Sequence, residues 1–356
     1  MKNLLHWTII APIISIIAYF LNLSEINAVF QVLVGILLML SILSAVHHAE
    51  AIAYKVGEPY GTIILAVAIT IIEVALIVSL MLSGGEKALT LARDTVFSSV
   101  MILFNAALGL CLVLGSTKHF EQYFQKKSVN IALVSLVAIL VLTLILPNYT
   151  TSIGGGRYST PQLFFAAFAC LAIYGTFLGM QTVRHRDYFI SATKTTSKEK
   201  MQAIAEVKIG LSLLLLVACL TIVVLLAKSL SPLIEQMVIE ANLPHALVGI
   251  IIASVVLLPE IIAAVKAAIK NDIQTSINLS LGSALAAIGL TIPAVAIVST
   301  IFDLDIVLGI SQKSMVLLAL SIFTVMLSLS KGKTNLLYGV VLLINFIAFV
   351  FTTIFA

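Results

Sequence analysis

Residues 61–82 read GTIILAVAITIIEVALIVSLML. A helix crosses the hydrocarbon core of a bilayer in about 20 residues, so this run is long enough to span, and its only charge is Glu73 near the middle. Residues 248–270, VGIIIASVVLLPEIIAAVKAAIK, repeat the plan with Glu260. Each glutamate follows a glycine, Gly61 or Gly249, by about three helical turns. A charged carboxylate at the bilayer centre costs at least a few kcal/mol, so it persists where it is paired, protonated or facing a wet cavity.

The rest of the chain is of the same kind. Of its 356 residues 61% are hydrophobic and only 10% charged, with a mean hydropathy of +1.16, whereas a soluble domain is about a quarter charged. Polar or Gly/Pro breaks divide it into eleven apolar spans: 4–23, 28–47, 61–83, 95–116, 128–147, 161–182, 208–230, 246–269, 273–299, 304–329 and 335–355. The first lacks an Ala-x-Ala-like cleavage site and is read as a retained helix. Cys111, Cys170 and Cys219 all sit inside apolar runs at spacings that fit neither a zinc site nor a disulfide framework.

Lysine and arginine accumulate in short cytoplasmic loops. With the N-terminus inside, eleven spans place 15 of the 20 basic residues on the cytoplasmic side and 5 on the other, and the C-terminus falls outside. The longest polar stretch, 184–207, is basic and forms a cytoplasmic linker. It separates a first five-helix repeat, 25–183, from a second, 208–356, with residues 1–24 as one additional N-terminal helix. Five is odd, so the two repeats enter the membrane in opposite senses, the inverted-repeat plan of many secondary transporters. The expected fold is therefore all-α and polytopic, with about 11 transmembrane helices.

The helix after each glutamate starts from an aspartate, in RDTVFSSVMILFNAALGL (93–110) and NDIQTSINLSLGSALAAIGL (271–290). Aligning Asp94 with Asp272 pairs Ser98 with Ser276 and Asn105 with Ser283, with no gap. In a regular α-helix these positions share one face. Small residues nearby, notably Gly109, Gly282, Ala284, Ala286, Ala287 and Gly289, permit close backbone approach. The expectation is that Glu73, Glu260 and the two polar stripes converge near the midplane.

Burial favours the neutral acid and a bound cation favours the anion, so proton and metal compete for the same oxygens. That competition is the simplest physical basis for exchange. Calcium takes six to eight oxygens, which Glu73, Glu260, Asn105, Ser98, Ser276, Ser283, carbonyls and water could supply; sodium or potassium would accept similar ligands. The competing structural roles are plain: Ser98, Ser276 and Ser283 as helix-bonding hydroxyls, Asn345 as a helix-helix link, Asp94 and Asp272 as N-terminal caps. His47, His48 and Glu50, in HHAE near the cytoplasmic end of the second span, make a poor chelate because adjacent histidines point to different sides of a helix. Glu50 is a candidate proton relay or gate.

HHAEAIAYKVGEPYGTIILAVAITIIEVALI, RDTVFSSVMILFNAALGLCLVLG, LLPEIIAAV and NLSLGSALAAIGLTIPA together resemble the calcium/proton antiporters of the cation/calcium exchanger superfamily, particularly their bacterial sodium/calcium:proton branch. The resemblance covers most of residues 45–300. It implies ten core helices in inverted repeats plus one extra N-terminal helix, in a prokaryotic cytoplasmic membrane. Glu73 and Glu260 fall at the family's paired glutamates, Asn105 and Ser283 at its polar ligand positions, and Glu50 at a carboxylate on the preceding helix. Vacuolar members carry a Gly-Asn-Ala-type segment before the glutamate; here Thr70, Ile71, Ile72 and Leu257, Leu258, Pro259 stand instead. The resemblance implies calcium/proton exchange as the leading expectation; because fewer side-chain oxygens flank the site, monovalent exchange of sodium or potassium is the alternative.

The expected partners are inorganic cations, protons and membrane lipid, on whose anionic headgroups the basic linker would rest; nucleic acid is not among them, and no cofactor is implied. An intramembrane enzyme is the alternative class, but no HExxH, GxSxG or P-loop is present. A haem or pigment protein would need axial ligands deeper than the HHAE histidines.

Overall fold

A segment that leaves water must satisfy its own backbone, and this chain does so with helices. The computed structural model describes residues 2–57, 60–83, 89–190, 209–241, 243–244 and 246–355. Among them run eleven helical segments: α1 (Lys2–Phe20), α2 (Ala28–Val56), α3 (Tyr60–Ser83), α4 (Leu91–His119), α5 (Lys126–Tyr149), α6 (Thr160–Arg184), α7 (Ile209–Glu240), α8 (Ala246–Ile269), α9 (Ile273–Ile301), α10 (Gln312–Leu329) and α11 (Leu336–Ile354). Nine are long and apolar enough to cross a membrane, and α1 and α3 carry the shorter apolar stretches Trp7–Phe20 and Thr70–Ser79. The protein is a polytopic membrane protein with two inverted five-helix repeats after one extra helix. Most of the basic stretch between the repeats, 191–208, lies outside the described residues, as do Lys87, Lys194, Lys198, Lys200 and Lys208.

Helix ends follow local chemistry. Asn27, Asp272, Ser311 and Asn335 accept backbone N–H groups at the starts of α2, α9, α10 and α11, relieving donors that have no intrahelical partner. Two boundaries differ from the sequence reading. Helix α2 continues to Val56 and stops at Gly57, whose φ of 79° suits a residue without Cβ; HHAE therefore lies inside the helix rather than at its end. Helix α10 begins at Gln312, not near 304, because Asp303 adopts φ 51° and the next residues are not helical. There the amides of Val307, Leu308, Gly309 and Ile310 donate to the carbonyls of Leu89, Gly156, Gly156 and Leu144.

Packing forms two compact units, residues 1–80 with 195–245 and residues 81–194 with 246–356. In the first, α2 packs along α7 and α1 lies against both. Small hydroxyls fasten it: Ser15 meets Ser41 at 2.8 Å, and Ser44 donates to the Thr8 carbonyl at 2.5 Å.

In the second unit α4 is the central helix, with 89% of its apolar window buried, and α9 follows at 67%. These are the two helices that come after the glutamate helices. Their burial makes small residues useful. A Cβ on Gly339 of α11 would stand 2.7 Å from the Val113 nitrogen and 2.8 Å from the Gly109 oxygen of α4, and one on Gly289 would stand 2.8 Å from Tyr174 Cβ. Gly282 is different, with nothing within 4 Å of its would-be Cβ, so it does not serve the close approach expected of it.

The connections of this unit alternate between two ends, as an up-and-down chain requires. At one end the α4–α5 loop meets the α8–α9 and α10–α11 turns: Gln122 Nε2 donates to the Ala268 carbonyl at 2.9 Å and to Asn271 Oδ1 at 3.0 Å, and its amide donates to Thr334. Glu121 there pairs with Lys333 at 2.9 Å, and the hydrogen bond from Lys333 holds its carboxyl below the usual range. The opposite end gathers the start of α4 and the α5–α6 and α9–α10 connections, where Arg93 donates to the Gly309 carbonyl at 3.0 Å and Asn148 to that of Ile310.

Candidate functional site

The second unit carries Ser98, Asn105, Glu260, Ser276 and Ser283, while Glu50 and Glu73 belong to the first. Glu73 and Glu260 are both buried, at 4% and 6% exposure, whereas Glu50 is exposed. Helix α8, which holds Glu260, packs on α4 and on α9. Pro259 immediately precedes Glu260 inside the helix. Proline has no N–H, so the Val255 carbonyl one turn earlier loses its helical donor. A backbone carbonyl one turn before Glu260 is thus left without its usual helical partner.

Asn105 sits where α4 stops being an α-helix. Residues Ile102–Ala107 form a π turn, with the Leu108 amide reaching back to the Leu103 carbonyl. Such bulges are rare and occur frequently at functional sites. Helices α8, α9, α10 and α11 all touch this segment. Asn105 is fully buried, and its Nδ2 donates to the Met101 carbonyl at 3.1 Å and to Ser321 Oγ of α10 at 2.9 Å. Its Oδ1 is buried without a hydrogen-bond donor among the described residues. A buried amide oxygen left so costs about 1–3 kcal/mol, and a cation would satisfy it.

The serines are occupied differently. Ser98 Oγ donates to the Asp94 carbonyl at 2.6 Å on its own helix, and Ser276 Oγ to the Ala264 carbonyl at 2.6 Å, one turn beyond Glu260. Ser276 thereby ties α9 to α8. Ser283 is half-buried. The gapless alignment of Ser98 and Asn105 with Ser276 and Ser283 does not carry over into equal winding, because α9 stays α-helical where α4 takes its π turn.

Other candidates resolve as structural groups. Asp272 caps α9 through the Thr275 amide. Asp94 does not cap with its carboxylate; Thr90 and Arg93 donate to it instead, the latter at 2.8 Å. Asn345 donates to Thr324 of α10 at 3.0 Å, a helix-helix link. His48 faces the Thr8 carbonyl at 3.4 Å and meets the His47 ring edge to face. No group of three His, Cys, Asp or Glu side chains able to hold a metal occurs among the described residues. Sequence reading missed Ser321 and Met101, since one serine in an apolar run carries no mark of its partner.

The signature of the sodium/calcium exchanger protein family matches residues 26–183 and 211–355. The chain belongs to the sodium/calcium exchanger family. A curated relative, the putative ionic transporter y4hA of Sinorhizobium fredii, is 42% identical over 96% of this chain and 94% of its own length. The sodium-potassium/proton antiporter ChaA of Escherichia coli is 31% identical over 97% and 95%. Among solved structures the H+/Ca2+ exchanger CAX shares the fold, with a TM-score of 0.75 at 17% identity over 98% of this chain and 87% of that one. Members of the family are transporters rather than enzymes, and their cations are cargo rather than cofactors.

Proposed function

We propose that this exchanger is a secondary cation/proton antiporter in which Glu73 and Glu260 bind cation and protons in competition, with Asn105 as a neutral ligand. The orphaned, fully buried Oδ1 of Asn105 is the observation that carries the reading. A neutral oxygen held without a donor attracts a cation but binds no proton near neutral pH. The carboxylates take either, so a site with both kinds of oxygen returns loaded with protons after releasing metal. Ser276, Ser283, Ser98 and the Val255 carbonyl supply further oxygens, and Glu50 serves as a proton relay or gate.

Sodium or potassium is the proposed cargo. ChaA, related over nearly the whole chain, is named for sodium and potassium. Calcium, the leading expectation from the sequence, is here the second reading, favoured by the fold shared with CAX and by the sequence resemblance. By the distribution of basic residues, the N-terminus faces the cytoplasm and the C-terminus the outside.

Everted vesicles containing the protein, acidified inside and challenged in turn with sodium, potassium and calcium, test this. Either monovalent ion is expected to release protons at lower concentration than calcium does. Dequenching by calcium alone would reverse the cargo assignment, and dequenching by none would end the antiporter reading.

A further inference from the structure

Asn105 raises a question that its burial alone does not answer: what keeps its oxygen, rather than its NH2 group, as the open end of the amide. The two ends have nearly the same shape, so only hydrogen bonding separates them. The Met101 carbonyl, 3.1 Å from one end, can only accept, and that end must therefore be Nδ2. Ser321 Oγ, 2.9 Å from the same nitrogen, could in principle donate or accept. Its hydrogen is spent on Met101 Sδ, 3.5 Å away, so it meets the amide with a lone pair. Both hydrogens of Nδ2 are then used, and Oδ1 is left over.

We infer that Ser321 of α10 is a positioning residue for the cation, holding Asn105 so that Oδ1 and not NH2 is presented to it. Ser321 is fully buried and lies 216 residues from Asn105 in sequence. Helix α10 holds neither glutamate and meets the site at the π turn around Asn105. The inference rests on the reading of Asn105 as a ligand. Without the Ser321 hydroxyl, one amide hydrogen is left with the weak Met101 Sδ contact at 3.8 Å, and the Met101 carbonyl is the one strong acceptor resisting rotation of the amide. A rotated amide points a partial positive charge at the cation.

The test is cation-dependent proton release by the full-length protein in vesicles, with sodium and potassium as probes and protein amount determined by immunoblot. Ser321→Ala is expected to raise the half-saturating cation concentration about fivefold to tenfold, the equivalent of one lost hydrogen bond to the ligand, while most of the maximal rate is retained. Ser321→Cys, with a weaker hydrogen-bonding group of similar size, falls between. Because Ser321 acts through Asn105, the Asn105→Ala/Ser321→Ala double variant is expected to match Asn105→Ala alone. Additive effects, or a Ser321→Ala protein with wild-type half-saturation beside a shifted Asn105→Ala, would overturn the positioning role and leave the ligand role intact. An Asn105→Ala protein with wild-type cation dependence would remove the ligand role, and the inference with it.

Discussion

Exchange by the Glu260→Gln protein is expected to fall about a hundredfold or more, to the level of vesicles lacking the transporter, with the protein still present in the membrane. Glutamine fills the same space at a position that is 6% exposed, so packing survives while the ionisable oxygen pair is lost. Removing one partner from a buried charged contact typically costs about 3–5 kcal/mol, which is two to three orders of magnitude in binding. Loss of proton-coupled flux is therefore the expected phenotype, not a modest shift in affinity. Glu73→Gln, at 4% exposure on α3, is expected to behave alike. Proton release driven by an imposed pH gradient is the measurement, and near-normal rates in either variant would remove that residue from the site.

The largest expected effect on stability is at Gly339. Alanine there would place its methyl 2.7 Å from the Val113 nitrogen and 2.8 Å from the Gly109 oxygen, and both are backbone atoms of α4 that cannot swing aside. Helix α11 must move away, at a cost of about 3 kcal/mol. Because α11 also touches the π turn around Asn105, cation affinity is expected to weaken along with stability. Gly35→Ala on α2, where nothing lies within 4 Å, provides the contrast: it favours helix and should leave melting near or slightly above wild type. Thermal unfolding of the two variants in detergent separates them, and equal melting temperatures would contradict the α4–α11 contact.

Much of the fold was legible because its determinants are crude and long-range in composition. Runs of about 20 apolar residues and the side-to-side alternation of lysine and arginine suffice to count helices. The same reading failed where apolarity is shared by two conformations. The stretch from Leu304 to Ile310 is largely apolar, yet it is not helical: amides from Val307 to Ile310 donate to carbonyls of other segments, Leu89, Gly156 and Leu144. The glutamates stood out because charge is expensive in an apolar run. The π turn did not, since no glycine or proline falls between Ile102 and Ala107 and the repeat alignment runs through it without a gap. Nor did Ser321, because the feature that matters is a partner 216 residues away.

Competition between cation and proton is the central claim, and one series of measurements addresses it directly. The half-saturating sodium or potassium concentration is determined in proteoliposomes at several pH values, with internal and external pH clamped equal. If the carboxylates hold cation and protons in turn, half-saturation rises as pH falls, approaching about tenfold per pH unit for each proton displaced, while the maximal rate at saturating cation changes little. A half-saturating concentration independent of pH, with only the maximal rate varying, would contradict the account.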